Sequence, residues 1–292
     1  MTEKPENLDR ATRVHGQKIV DVLRTEFEQV TRFATGKRKL SQILKIILFG
    51  SRAAGGAVSN AINGYISDYD ILIILNRSDL IGHRLWDIAE ERLATQIQIP
   101  VNTIVHTLSE VNNELKKGHY FFKDIREQGV FLYESDQRCL ATPTTLSPEE
   151  HQRIAREHFQ WWSPSADSFL IDFEHCIKRE DLNKAAFELH QATERYYACL
   201  LLILTNYKPH THNLKHLNSL CIEQDMRIAE VFPQAKKVDR RVFQLLKKAY
   251  IEARYSHAYI ITKEELLWLF ERVQLLRHLA RTIYTEKVNA HK

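Results

Sequence analysis

The stretch Leu48–Leu75, LFGSRAAGGAVSNAINGYISDYDILIIL, decides the fold of the first half of the chain. It joins two apolar runs through a long polar loop. The first run ends in Gly50-Ser51, and the second begins directly after Asp68 and Asp70. Short apolar runs rich in isoleucine and bounded by glycine or polar residues are typical of buried strands. The stretch therefore predicts a strand, a glycine turn, a polar loop and a second strand with two aspartates at its start.

The sequence on either side of this stretch predicts an α+β fold. Further apolar runs rich in β-branched residues indicate strands, and apolar residues at helical spacing indicate helices between them. The predicted strands are Ile43–Phe49, Ile71–Leu75, Ile99–Val105 and Val130–Tyr133, and the predicted helices are Leu8–Phe33 and His83–Thr95. We therefore expect a small mixed β-sheet with flanking helices.

The second half of the chain predicts an all-α bundle. The segment ATPTTLSP at residues 141–148 indicates a loop, and Ser147 suits the N-cap of a following helix. Helices are predicted at Glu149–Trp162, Ser165–Lys178, Asp181–Leu204, Leu214–Gln224, Gln234–Tyr255 and Lys263–Tyr284. We therefore predict two domains, residues 1–142 and residues 143–292, of which the second is helical.

The composition argues against several classes of protein. The amino terminus MTEKPENLDR lacks the apolar core of a signal peptide, and the most apolar stretches, Ile43–Phe49 and Ala198–Leu204, are too short to cross a bilayer. The four cysteines are widely spaced, which favours reduced thiols over a zinc cluster. We therefore expect a cytoplasmic protein without a membrane partner. The formal net charge of +4 neither requires nor excludes a nucleic-acid partner.

Asp68 and Asp70 form a candidate metal site. Residues two apart on a strand point to the same face, so both carboxylates are expected together at one end of the second strand. Two adjacent carboxylates repel each other unless a cation lies between them. Mg²⁺ is the obvious candidate, because it takes oxygen ligands and often shares them with substrate phosphates.

Gly50, Ser51 and Arg52 form the candidate phosphate side of the same site. Glycine allows a sharp turn and a close approach of the backbone to a ligand. A short helix beginning at Ser51 would direct free N–H groups and the hydroxyl at a phosphate, and Arg52 would add positive charge. Phosphates on one side and a metal on the other are what phosphoryl or nucleotidyl transfer needs. The ordinary alternative is that both motifs are solvated turn residues without a function.

The motifs GSRA at residues 50–53 and SDYD at residues 67–70 resemble the signature of the DNA polymerase β-like nucleotidyltransferase superfamily. The resemblance is strongest to the minimal nucleotidyltransferases and the aminoglycoside adenylyltransferases, and it covers about residues 40–107. It implies that the glycine and serine of the first motif contact the nucleotide phosphates and that the two aspartates bind divalent metals. The helical half resembles the HEPN domains that are often fused to, or paired with, such enzymes.

Two features depart from the superfamily pattern. The loop between the two motifs is longer than usual, and its additional residues around Val58–Tyr65 form either a flap over the site or a surface excursion. Active members carry a third carboxylate on a later strand, where this chain has Asn102. An asparagine cannot act as a base and removes one negative charge. Three alternatives follow: one tightly held metal suffices, Glu90 or Glu91 takes the role, or the domain binds nucleotides without turning them over.

The helical half contains a candidate general base and a candidate ribonuclease pair. By resemblance to two-domain nucleotidyltransferases, a carboxylate of this domain acts as the base, and Glu188 and Glu194 are the candidates. Ordinary ion pairs are the alternative. HEPN ribonucleases use an arginine followed by a histidine, and the nearest match here, Arg254 and His257, has a shorter spacing. Two residues three apart on one helix share a face, so the pair could still converge.

Two further groups of residues carry open alternatives. His210, His212 and His216 suit either a metal site or the cap of the following helix. The basic residues between Lys236 and Lys248 suit either a solvated helix face or an RNA-facing patch.

The sequence thus predicts a Mg²⁺-dependent nucleotidyltransferase. It would transfer a nucleoside monophosphate, AMP from ATP or its equivalent from another nucleoside triphosphate, to a hydroxyl of a small molecule or a protein. The expected catalytic residues are Asp68, Asp70 and Glu194, and a homodimer is compatible with the sequence. The alternatives are a nucleotide-binding pseudoenzyme, a regulatory or toxin–antitoxin-like module, and a HEPN-type ribonuclease.

Overall fold

The chain forms two compact units. A computed structural model describes residues 8–54, 59–60 and 65–289. One unit comprises Met1–Val58 and Ile66–Thr145, and the other comprises Ser59–Tyr65 and Leu146–Lys292. The first unit is α+β and the second is helical, which confirms the predicted fold class. The domain limit at residue 142 lies close to the division after Thr145 and stays a prediction.

The first unit is built on a mixed four-stranded sheet. Among the described residues its strands are β1 (Ile43–Phe49), β4 (Tyr69–Leu75), β5 (Val101–Thr107) and β6 (Val130–Glu134). Their order is β5-β4-β1-β6, in which β4 pairs with β5 in parallel and β1 pairs with both β4 and β6 in antiparallel fashion. Ser59–Asn60 (β2) and Tyr65–Ile66 (β3) pair as two short strands. The rest of the predicted long loop around Val58–Tyr65 consists of residues that the structure does not describe.

Helices cover both faces of this sheet. Helix α1 (Arg10–Arg32) begins at an N-cap, Asp9, whose side chain accepts a hydrogen bond from the backbone N–H of Thr12. The apolar faces of α1 and α2 (Leu85–Ile97) pack against one face of the sheet. Alternate residues of β1 and β4, such as Ile46 and Ile71, belong to the same core cluster. The opposite face carries Phe49, which packs edge-on against Phe121 of α4 (Tyr120–Gln128). All seven residues of β1 and of β4 are therefore buried.

Strand β1 lies where predicted, but the next two strands are displaced. Strand β4 begins at Tyr69 rather than at Ile71, because residues 69 and 70 already pair with Val101 and Asn102 of β5. Strand β5 correspondingly runs later than the predicted Ile99–Val105. Helices α3 (Leu108–Lys116) and α4 were not predicted, although α3 begins with a capping box formed by Thr107 and Glu110.

The second unit is a bundle around one buried helix. Its helices are α5 (Pro148–Lys178), α6 (Leu182–Thr205), α7 (Leu214–Gln224), α8 (Lys237–Lys248), α9 (Glu252–Tyr255) and α10 (Lys263–Asn289). Helix α6 contributes more buried side chains than any other described helix of the unit, and it packs against α5, α7 and α10. Stacked rings, Phe159 on Tyr284 and Phe173 on Phe270, join α5 to α10.

Two predicted helix boundaries in this unit are wrong. Pro164 does not separate two helices, because α5 continues through it, with Ala155 and Phe173 buried on either side. Packing therefore offsets the hydrogen bond that a proline removes from a helix interior. The predicted helix Gln234–Tyr255 is instead two helices, α8 and the short α9, with a turn over residues 249–251 between them.

Among the described residues, none of the helices combines the length and the apolar character that a bilayer-spanning segment needs.

Candidate functional site

Asp68 and Asp70 converge on one amide group at the start of β4. Asp68 is 4% exposed, Asp70 is fully buried, and Asn102 of β5 is 6% exposed. The side-chain nitrogen Nδ2 of Asn102 donates to Oδ2 of Asp68 over 3.2 Å and to Oδ1 of Asp70 over 3.1 Å. The three side chains therefore form one buried polar cluster in which the amide donates and the carboxylates accept.

The register of the sheet explains this cluster. Asp70 pairs with Asn102 in the parallel ladder and with Phe49, the last residue of β1, in the antiparallel ladder. Asp68 and Asp70 are two residues apart, so their side chains leave the strand on the same side. Gly50 follows Phe49 directly, and the glycine turn therefore begins beside the two carboxylates.

Gly50 makes the turn that the sequence predicts. Its φ of +75° lies in the left-handed region that favours glycine, and its carbonyl accepts hydrogen bonds from the backbone N–H groups of Ala53 and Ala54. Residues 51–54 form turns, and no helix begins at Ser51 within this described segment. The turn amides and the half-buried Ser51 are therefore the groups of this described segment that suit a phosphate.

Arg52 is buried behind the aspartate pair. Its Nε donates to the carbonyl oxygen of Ser67 over 2.8 Å, and its guanidinium lies 4.3 Å from the ring centroid of Tyr69. Tyr69 lies between the two aspartates in sequence, so its ring points to the opposite side of β4. Arg52 therefore ties the glycine turn to the segment that carries the aspartates.

His15 of α1 completes the support on that side. Its Nδ1 lies 2.8 Å from the hydroxyl oxygen of Tyr69, and the two rings meet edge to face. Burial, and then the positive charge of Arg52, lowers the pKa of His15 below its usual range. Nothing in the sequence pattern alone indicated the contacts among His15, Tyr69 and Arg52, because they join three separate segments.

Neither glutamate that was considered as a third carboxylate joins the cluster. The carboxylate of Glu90 accepts hydrogen bonds from the backbone N–H and the hydroxyl of Thr103, over 2.6 and 2.7 Å. Thr103 follows Asn102 in β5, so its side chain points to the other face of the sheet. Glu90 therefore lies on the face away from the aspartates, and Glu91 is exposed on α2.

The chemistry of the cluster fits a Mg²⁺ ion. Two carboxylates and one amide oxygen are hard oxygen ligands, and Mg²⁺ is commonly held by one or two carboxylates together with substrate phosphates. A half-turn of the Asn102 amide would present Oδ1 in place of Nδ2. Within the described residues no group of three His, Cys, Asp or Glu side chains could hold a metal, which agrees with the replacement of the third carboxylate by Asn102.

Glu194 belongs to a second polar cluster, in the helical unit. Its carboxylate lies 2.9 Å from Nδ1 of His212 and 3.7 Å from Nε2 of His190. Burial alone would raise the pKa of Glu194, but hydrogen bonds to these two histidines outweigh it and lower the pKa. The ring of His212 stacks on Tyr250 at 4.3 Å. Glu194 therefore has close polar partners within its own unit.

Glu188 and Arg254 have contacts of their own, and Arg254 also reaches the cluster, since its guanidinium lies 4.8 Å from the ring centroid of Tyr250. Burial, and then the charge of Asp172, raises the pKa of Glu188. The guanidinium of Arg254 lies 4.8 Å from the ring centroid of Phe187, and its Nε donates to the carbonyl oxygen of Tyr250. Helix α9 ends at Tyr255, so His257 lies beyond it and the two residues do not share a helix face.

His216 and part of the basic run have structural contacts, whereas His210 is exposed. Asn213, rather than a histidine, caps α7 by accepting from the backbone N–H groups of residues 215 and 216. His216 is buried, and burial lowers its pKa to about 4. In the basic run, Arg241 pairs with Glu265 and Lys248 with Glu252. These ion pairs favour the interpretation of α8 as a helix face with local partners.

Comparison with known families supports one half of the resemblance. No curated protein matches the chain. The HEPN domain family matches residues 159–283, which include most of α5 and all of α6 to α9. The resemblance of residues 40–107 to nucleotidyltransferases stays a prediction. Residues 159–283 of the helical half therefore match the HEPN domain family.

Proposed function

We propose that the chain is a Mg²⁺-dependent nucleotidyltransferase that moves a nucleoside monophosphate from a triphosphate, with ATP as the expected donor, to a hydroxyl acceptor. One observation carries the proposal. The carboxylates of Asp68 and Asp70 are buried side by side, within hydrogen-bonding distance of the same amide nitrogen, next to a glycine turn. Two buried carboxylates beside a glycine turn are the hard oxygen ligands with which proteins hold Mg²⁺ together with the phosphates of a substrate.

The residues around the turn would hold the triphosphate. Gly50 brings the backbone close enough for the turn amides to donate to phosphate oxygens, and the Ser51 hydroxyl adds one donor. Arg52, which the resemblance placed among the phosphate contacts, holds the turn in position through Ser67 instead. When bound, Mg²⁺ neutralises the phosphate charge and favours departure of pyrophosphate.

The acceptor side of the reaction is the less defined part of the proposal. By the same resemblance, Glu194 of the helical unit is the proposed general base. The acceptor is a hydroxyl of a small molecule or of a protein. The HEPN domain fits either a nucleotide-related enzyme or a toxin–antitoxin-like module.

Asn102 supports a second candidate, a domain that binds nucleotides without turning them over. Its amide offers a neutral ligand where a carboxylate would raise the affinity for a second metal and activate the acceptor. Binding and transfer must therefore be measured separately.

The test uses the full chain with Mg²⁺ and each of the four α-labelled ribonucleoside triphosphates. Binding is measured by calorimetry, and transfer is measured by pyrophosphate release and by label on added hydroxyl acceptors or on protein. Asp70→Asn keeps the shape of the side chain and removes its charge, and Asp21→Asn, on the exposed face of α1, is the matched control.

We expect Mg²⁺-dependent transfer by the wild type and the control, and a loss on the order of 100-fold or more in Asp70→Asn. Transfer by Asp70→Asn at the wild-type rate would overturn the proposal. Tight nucleotide binding with no transfer to any acceptor would instead favour the pseudoenzyme.

A further inference from the structure

A cluster of exposed cations surrounds an exposed aromatic ring where α1 ends. We call it the basic–aromatic patch, and it consists of Arg32, Phe33, Lys37, Arg38 and Lys39. Phe33 follows the last residue of α1 and is 80% exposed. The three residues from Lys37 to Lys39 lie on a short 3-10 helix, Gly36–Leu40, in which no residue is buried. Four positive charges therefore lie within eight residues of sequence around one solvent-facing ring.

The cations of this patch are not used by the fold. Within the part of the chain that the structure describes, Arg32, Lys37, Arg38 and Lys39 form no ion pair. The guanidinium of Arg32 lies 5.6 Å from the ring centroid of Phe33, which leaves the charge in solvent. By contrast, Arg241 and Lys248 of the basic run on α8 have glutamate partners. The patch is therefore a source of positive charge that no described residue neutralises.

The patch also has a concave surface beside the ring. A groove of about 560 Å³ is lined by Val30, Phe33, Ala34, Thr35, Lys37, Arg38 and Asp79. The carboxylate of Asp79 accepts from Nε of Arg77 over 2.9 Å, so the charge of the only acidic residue lining the groove is compensated. The groove thus combines one aromatic face with two cationic side chains.

These features match one class of partner better than another. Single-stranded nucleic acids bind where cations follow the phosphates and aromatic rings stack on the bases. A membrane-surface segment needs a broad apolar helix face, and a five-residue 3-10 helix that ends at Leu40 and is preceded by Phe33 does not provide one. The combination of a groove, a single ring and adjacent cations favours a polynucleotide.

We infer that the basic–aromatic patch binds single-stranded nucleic acid, with Phe33 stacking on a base and Lys37, Arg38 and Lys39 contacting phosphates. The inference does not depend on the proposed transferase activity, because none of these residues belongs to the cluster around Asp68 and Asp70. It also differs from the RNA-facing alternative considered for α8.

The test measures the anisotropy of fluorescent 12-nucleotide RNA and DNA single strands titrated with the full chain. The binding variant is Lys37→Gln, Arg38→Gln and Lys39→Gln combined. Its matched control, Arg156→Gln, Lys178→Gln and Lys263→Gln, removes the same charge from exposed positions of the helical unit that lie outside the basic run on α8. Phe33→Leu keeps an apolar side chain and removes the stacking ring. Thermal unfolding verifies that each variant is folded.

We expect the patch variant to raise the Kd at least tenfold, Phe33→Leu to raise it about fivefold or more, and the control to leave it unchanged. About three phosphate contacts predict a slope near −2 for log K against log salt concentration. The inference is overturned if neither strand binds at low salt, or if the control variant weakens binding as much as the patch variant. The inference would also be overturned if the chain bound only to vesicles that contain anionic lipid, and if Phe33→Leu bound those vesicles as well as the wild type does. That result would assign the patch to a membrane surface.

Discussion

The amide of Asn102 lies directly beside Asp70 in the parallel ladder and donates to its carboxylate over 3.1 Å. A second hydrogen bond from the same nitrogen reaches Asp68. One neutral side chain thus lies between the two carboxylates and donates to both. The free energy of unfolding of the first unit should therefore depend on the charge of the side chain at position 102.

Asn102→Asp tests this relationship without any assay of activity. The substitution replaces a donor by a third buried carboxylate, so we expect the free energy of unfolding in EDTA to fall by about 1–3 kcal/mol. Added Mg²⁺ should restore stability, because three carboxylates bind a divalent ion more strongly than two. Chemical denaturation with and without Mg²⁺ measures both effects. Equal stability of wild type and variant in EDTA would show that Asn102 does not separate the aspartates.

Arg52→Met separates a positioning role from a phosphate contact. The guanidinium holds the Ser67 carbonyl and stacks on Tyr69, so its loss should lower the free energy of unfolding by about 1–3 kcal/mol with no nucleotide present. Arg10→Met, at an exposed position, is the control and should have little effect. Unchanged stability together with weaker nucleotide binding would instead identify Arg52 as a direct phosphate ligand.

Glu90→Gln tests the buried carboxyl behind β5. Burial raises the pKa of Glu90 from its ordinary 4.5 to about 7. The hydrogen bonds from Thr103 lower the pKa, but burial has the larger effect. The folded chain therefore holds this proton more tightly than the unfolded chain, and stability falls as the pH rises from about 4.5 to about 7.

Glu90→Gln should not show this loss of stability with rising pH. In the wild type the loss is on the order of 2–3 kcal/mol. Urea denaturation at pH 5 and pH 8 measures the difference. Parallel pH profiles for the two proteins would contradict the raised pKa.

Glu194→Gln tests the polar cluster of the helical unit. The lowered pKa of Glu194 means that its ionised form stabilises the fold, and that this stabilisation is lost as the pH falls below the usual range of a glutamate. We expect a loss of about 1–2 kcal/mol at pH 7 that shrinks at pH 3–4. His212→Gln should remove part of the same stabilisation. A double-mutant cycle with Glu194→Gln and His212→Gln therefore gives the coupling energy between the two side chains. Full additivity of the two substitutions would show that the contact contributes nothing.

Pro164→Ala tests the uninterrupted course of α5. The proline is exposed and lies inside the helix, so alanine loses little packing and restores a backbone donor. We expect the free energy of unfolding to rise by about 1–3 kcal/mol, measured by denaturation of the full chain. A decrease would mean that α5 needs the local geometry that the proline imposes.

Several local features were predictable because their causes are local. Ser147 caps α5 and forms a capping box with Glu150, and both residues lie within four positions of the same sequence. The apolar run Ile43–Phe49 is β1 without adjustment, and the limits of α7 are those predicted. Hydrophobic spacing and capping chemistry suffice for such elements.

Other features could not be predicted because they depend on contacts between distant segments. Pro164 favours a helix break locally, yet α5 continues where α6 and α10 pack against it. Glu90 was a candidate for the aspartate cluster, but the alternation of side chains in β5 places its partner Thr103 on the other face. His212 reaches Glu194 across the loop between two helices, which no spacing rule indicates.

The sequence by itself determined the α+β order, the helical second half and the pairing of a glycine turn with two aspartates, because periodicity, glycine and side-chain alternation act over a few residues. Only the tertiary structure decided that Asn102 lies between those aspartates, that Arg52 is buried behind them, and that the cations beside Phe33 have no partner among the described residues. These facts follow from strand register and packing, which bring together residues far apart in the chain.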